Sequence, residues 1–162
     1  MEVEMAIDVT VKKTEPITVA FVSKKGPYRL ISETFGTLYR WIGEKGYIPT
    51  GVPVGIYFNA PGQVPDEELL WELRGPIAGD AAPSVPDEHG LGVKKLEAAE
   101  VASTLYKGPY DGVGPTYGAL AGWIAENGYE IVGPPEEVYL NDPGKTAPEE
   151  LLTEIRFPVC KR

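Results

Sequence analysis

Sliding the chain by 82 positions lays residues 11–77 over residues 93–159 without a gap, and 31 of the 67 aligned positions are identical. VKK recurs at 11–13 and 93–95, KGPY at 25–28 and 107–110, WI at 41–42 and 123–124, GY at 46–47 and 128–129, and EELL at 67–70 and 149–152. Composition alone does not hold so many Gly, Pro and Trp in register, so the chain is a tandem duplication. Whatever one copy folds into, the other must also fold into.

The order of elements within a copy is legible. Val19 to Ser23 and Val101 to Tyr106 are short β-rich runs that end in the KGPY turn signal. Ile31, Phe35, Leu38 and Ile42, matched by Val113, Tyr117, Leu120 and Ile124, step by four, three and four and so make one helical stripe. Gly46 and Gly128 then close the helices. GIYFN at 55–59 and EVYLN at 137–141 alternate as strands, and LLWELR at 69–74 or LLTEIR at 151–156 supplies the last strand. Each copy reads β, α, β, β.

One such unit has too little apolar surface to stand well alone. The expectation is therefore an α+β fold in which two βαββ units pair into antiparallel sheet about a pseudo-twofold axis. Both helices would cover one sheet face, leaving a cleft on the other face or at the seam. The 162 residues form a single domain, with repeat one at about 9–77, a linker at 78–92 and repeat two at about 93–159. The linker opens with AGDAAPSVPDEHG and holds the sole histidine, His89, which reads as solvated loop.

Strand alternation sorts the side chains. Ile56, Phe58, Val138 and Leu140 form the apolar set expected under the helices. Gly55, Tyr57 and Asn59, with Glu137, Tyr139 and Asn141, point the other way. The copies differ where position 55 is Gly and position 137 is Glu. On one reading Glu137 is the acidic floor of a ligand site, Gly55 leaves room opposite, and Tyr28, Tyr57, Tyr110 and Tyr139 are aromatic walls that hold a cation through charge and ring faces. On the other, Glu137 is a solvated strand residue and the tyrosines are turn and edge packing. Trp41 and Trp123 read as core margin, with a ligand role for Trp123 as the alternative, and Trp71 reads as core. Glu72 with Arg74, and Glu154 with Arg156, read as exposed ion pairs contributing about 0–1 kcal/mol.

Charge and cysteine usage narrow the function classes. Fifteen Lys and Arg against 24 Asp and Glu give a net charge of −9, which repels nucleic acid and anionic lipid. A single cysteine, Cys160, excludes an intrachain disulfide and fits a cytoplasmic protein. The opening MEVEMAIDVTVKK has no export pattern, and no run approaches the roughly 18 apolar residues of a membrane span. No His/Cys cluster or phosphate-binding glycine loop points to a metal, nucleotide or flavin, so no cofactor is expected.

The duplication, the KGPY turn, the helix ending in GY and the closing EVYLNDP…PEELLTEIRFPV resemble the GyrI-like small-molecule-binding domain, over about residues 9–159. That domain also occurs as the effector-binding half of multidrug-responsive transcription activators. The resemblance implies a cleft that accepts hydrophobic or cationic aromatic compounds through stacked aromatics and a buried acid, matched here by Glu137. With no helix-turn-helix segment before the repeats, a stand-alone form is expected, without direct DNA contact. The resemblance also implies a hydrolase alternative, because some stand-alone members open the strained cyclopropane of DNA-alkylating natural products. In that case Glu137 would orient water, Tyr139 or Tyr110 would polarise the leaving carbonyl, and Trp123 would stack on the substrate. A gyrase-inhibitor-like protein partner ranks last.

Overall fold

The computed structural model describes residues 7–162. Residues 1–6, part of the opening segment read above as no export signal, lie outside the described residues. The fold is α+β, with antiparallel strands throughout the named pairings and two helices.

The chain runs β1 (Thr10–Lys13), β2 (Ile17–Lys25), α1 (Ile31–Glu44), β3 (Val54–Tyr57) and β4 (Leu70–Ile77). It continues through β5 (Leu91–Leu96), β6 (Glu100–Lys107), α2 (Gly114–Glu126), β7 (Tyr129–Ile131), β8 (Glu136–Tyr139) and β9 (Leu152–Lys161). Apart from β7, equivalent elements stand about 82 residues apart, as the duplication requires.

Both helices follow from the stripe. Leu38 and Ile42 on α1, and Leu120 and Ile124 on α2, are buried in the cores. The helix ends are set by the GY pairs: Gly46 and Gly128 take φ of 75° and 82°, which glycine adopts without a Cβ clash. The Tyr47 amide then donates to the Ile42 carbonyl at 3.0 Å, satisfying a carbonyl the helix leaves open.

The copies and the compact units do not coincide. One unit is Glu15–Ala98; the other is Ala99–Arg162 completed by the chain up to Thr14. Each copy carries a leading strand that the β, α, β, β reading lacks, and that strand joins the other copy's unit. β1 pairs with β6 through Thr10↔Ser103 to Lys13↔Glu100, and β5 pairs with β2 through Ile17↔Leu96 to Val22↔Leu91. Neither leading strand pairs with the strand that follows it, whether the connection holds Pro16, between β1 and β2, or Ala98, between β5 and β6. The strand was hidden because TVKK is polar and mostly exposed and shows little alternation.

In the Glu15–Ala98 unit the sheet order is β3-β4-β2-β5, with α1 on one face. In the Ala99–Arg162 unit it is β1-β6-β9-β8, with α2 on one face and β7 paired to the far end of β9. β7 has no strand equivalent in the first copy. There Pro49 replaces Ile131, and the pairing is a single bridge with Ile77, flanked by bonds from the Thr50 amide to the Pro76 carbonyl at 3.0 Å and from the Ala78 amide to the Ile48 carbonyl at 2.9 Å.

The face assignment from alternation is reversed. Gly55 lies opposite Leu73 and Tyr57 opposite Trp71, and Leu73 and Trp71 pack with α1. Glu137 lies opposite Ile155 and Tyr139 opposite Thr153, on the face that α2 covers. Ile56 and Val138 are buried on the other face, while Phe58 (52% exposed) and Leu140 (39%) fall beyond the strand ends. Both faces of these strands bury apolar residues, so alternation gives the parity but not which parity meets the helix. Trp71 is core as expected, and its indole N–H donates to the Gly26 carbonyl at 2.9 Å.

The ion pairs also differ from the exposed pairs expected. Glu72 is 4% exposed and meets Arg74 at 2.5 Å and Lys94, from the exchanged β5, at 2.7 Å. Its repeat equivalent Glu154 pairs with Lys12 of β1 at 2.7 Å instead of with Arg156, which turns to Glu136 at 2.9 Å. Each exchanged strand thus brings a lysine to the carboxylate of the unit it completes.

Candidate functional site

Four elements of the Ala99–Arg162 unit converge on one carboxylate. β8 supplies Glu137 and Tyr139, and a short 3-10 turn over Tyr110–Gly112, placed by KGPY, supplies Tyr110. The first turn of α2 supplies Tyr117, and β9 supplies Phe157. The Tyr117 hydroxyl donates to Glu137 Oε2 at 2.5 Å, and the Tyr139 hydroxyl donates to Oε1 at 3.1 Å. Ring edges close the surround: Tyr110 meets Tyr139 at 5.5 Å and 73°, and Tyr117 meets Phe157 at 5.9 Å and 80°.

A carboxylate withdrawn from water needs donors to remain ionised. Here burial pushes the Glu137 carboxyl up from its usual value, and the hydrogen bonds from Tyr117 and Tyr139 oppose the rise without cancelling it. Burial also raises the Tyr110 phenol, with Glu137 and Asp142 adding their negative charge to the same effect. The result is an acid held by phenols within a ring-lined setting. Such an arrangement attracts a cation through charge and quadrupole together, or takes a proton from a bound group.

The Glu15–Ala98 unit repeats the rings without the acid. Tyr28 meets Tyr57 at 5.4 Å and 69°, and the Tyr28 hydroxyl donates to the Asn59 carbonyl at 3.3 Å. Gly55 does not leave room: a Cβ there would lie 2.5 Å from the Tyr57 hydroxyl. The phenol of one copy occupies the space that the carboxylate takes in the other. An open depression of about 430 Å³ in this unit is lined by Tyr28, Arg29, Asp66 and Leu69, among others, and does not include Glu137.

Trp123 is placed elsewhere on α2. It stacks on Tyr129 at 6.3 Å and 17°, six residues and about 9 Å of helix rise beyond Tyr117. Trp41 meets Tyr47 in the equivalent place at 5.7 Å. The repeat of this contact marks it as part of the framework of both units.

Tyr117 and Phe157 were not singled out from the sequence. The signal lay in the repeat alignment, where Phe35 with Gly55 in one copy becomes Tyr117 with Glu137 in the other. The hydroxyl and the acid it serves change together. Phe157 likewise replaces Gly75, while Ala121 replaces Tyr39, so one ring moves from helix to strand.

The comparisons agree with this architecture. The model of the GyrI-like small molecule binding domain matches residues 7–159. No curated protein matches. Among solved structures, the EcmrR C-terminal domain superposes with a TM-score of 0.83 at 20% identity, covering 98% of this chain and 100% of that one. Against EcmrR in its complex with DNA the TM-score is 0.82 at 20% identity over 96% of this chain, which spans 58% of the EcmrR chain. A hydrolase from Listeria innocua gives 0.72 at 15% identity, covering 94% and 91%. SAV2435 bound to tetraphenylphosphonium gives 0.56 at 14% identity, covering 95% and 94%. At these identities the likeness is one of fold.

Proposed function

Since the chain belongs to the GyrI-like small molecule binding domain family, we propose that its ligand is a hydrophobic aromatic cation held at Glu137. The observation that carries this reading is the carboxylate itself, partly withdrawn from water and bonded only to phenols among the described residues. A delocalised cation gains charge attraction there and meets the rings of Tyr110, Tyr139 and Tyr117, each ring contact contributing about 0.5–2 kcal/mol. The tetraphenylphosphonium carried by SAV2435 is a ligand of this chemistry, bound to the same fold. Titration of tetraphenylphosphonium by calorimetry tests the reading. Binding is expected to weaken at least tenfold in Glu137→Gln, and equal affinity in both proteins would remove the carboxylate from the account.

A second reading is hydrolysis of a strained cyclopropane, favoured by the raised Glu137 carboxyl beside phenol donors. Water attacks a ring carbon and Glu137 takes its proton. The ring C–C bond breaks, its electron pair passes to the conjugated carbonyl, and a phenol such as Tyr139 protonates that oxygen. Product mass spectra of a cyclopropane electrophile incubated with wild type and Glu137→Gln separate the readings. Equal yields would refute a catalytic Glu137.

A further inference from the structure

We propose that the Glu15–Ala98 unit carries a second ligand site, for a short aliphatic monocarboxylate, at the start of β2. A depression of about 320 Å³ opens there, lined by Pro16, Ile17, Thr18, Ile77, Gly79 and Lys95, among others. It lies about 23 Å of strand from the KGPY turn that places the tyrosines. The site does not depend on the reading of Glu137.

Three observations identify the occupant. Thr18 is 7% exposed and lines the depression, and no hydrogen bond of its hydroxyl is found among the described residues. That hydroxyl faces the open depression and is reached by solvent, so a polar ligand atom can take the place of water beside it. Lys95 lies directly opposite Thr18 on the neighbouring strand, and directly opposite residues share a face with their Cβ atoms about 5 Å apart. The Lys95 ammonium, four bonds beyond its Cβ on a flexible side chain, can therefore reach a carboxylate that also accepts from the Thr18 hydroxyl. Lys95 is also the single charged side chain of the lining and makes no ion pair among the described residues, whereas its neighbour Lys94 is held by Glu72.

The rest of the lining suits a hydrocarbon tail. Ile17, Ile77, Leu96 and Pro16 form apolar walls, and Gly79 leaves the space above Thr18 open, since a Cβ there would stand 3.8 Å from its hydroxyl. A volume of about 320 Å³ equals roughly ten water molecules, which fits a ligand of about ten heavy atoms such as octanoate. The other copy has lost the feature. Glu100, Cys160 and Lys161 replace Thr18, Ala78 and Gly79, so an acid and a long side chain stand where this copy keeps a hydroxyl and two small residues.

Octanoate titrated into the full chain, followed by amide NMR shifts, tests the site. Shifts are expected at Thr18, Gly79 and Lys95, with octylamine binding more weakly than octanoate. Lys95→Met should weaken binding about fivefold, the reach of an exposed ion pair. Gly79→Leu, at a position where a Cβ meets only ordinary contact, should abolish binding with the melting temperature retained. Thr18→Val keeps the shape and should weaken it also, and Glu137→Gln should leave it unchanged. Absence of shifts at these amides, undiminished binding in Gly79→Leu or Thr18→Val, or loss of binding in Glu137→Gln would overturn the proposal.

Discussion

Replacing Tyr117 by Phe removes one hydroxyl and little else, because Phe35 fills the equivalent place in the other copy. What is lost is the 2.5 Å hydrogen bond to Glu137 Oε2. When Glu137 is ionised that bond is charge-assisted and contributes about 1.5–3 kcal/mol; when it is protonated the bond is neutral and contributes about 0.5–1.5 kcal/mol. The destabilisation should therefore grow by roughly 1 kcal/mol from acid to alkaline pH. The sign in wild type follows from burial. Because the folded-state value of Glu137 is raised, its stability is fullest below the unfolded value and is lost as pH rises through the folded one. Removing the bond raises the folded value further and steepens that loss. Urea unfolding of both proteins by tryptophan fluorescence, from below the ordinary carboxylate range to pH 8, measures the difference directly. A destabilisation equal at both ends, or larger at the acid end, would refute the charged bond.

Three further outcomes are expected. Glu137→Gln should flatten the decline of unfolding free energy with rising pH, read from the same urea series, because the group responsible no longer ionises. Gly55→Ala should cost about 1–3 kcal/mol in thermal unfolding, since its Cβ meets the Tyr57 hydroxyl at 2.5 Å, and Tyr57→Phe in the same chain should recover part of the loss. Glu72→Ala should cost about 3 kcal/mol in chemical denaturation, because it strands Arg74 and Lys94; Lys94→Met, which leaves the Arg74 pair intact, should cost less.

What the sequence made legible was local chemistry repeated twice. The KGPY and GY turns, the Leu38 and Leu120 stripes and the buried Trp71 rest on residues whose conformational or packing preference is strong wherever they occur. The features that stayed hidden depend on partners distant in the chain. TVKK carries too little apolar pattern to announce a strand, and its partner β6 begins 87 residues after Lys13. Alternation through GIYFN and EVYLN fixed which residues share a face, but not that Glu137 faces α2, because Ile56 and Val138 are buried as well. Glu137 was found as a lone acid; Tyr117, which serves it, read as one more residue of a helical stripe.

The traded leading strands bear on how such a chain arose. A polypeptide with one repeat alone would have an outermost strand with no sheet of its own to finish, and would be complete only as a mutual pair. Fusing the two genes turns that obligate partnership into a single molecule and releases each half from mirroring every change in its twin. One half then became free to hold a carboxylate among phenols, while the other filled the same spot with a tyrosine.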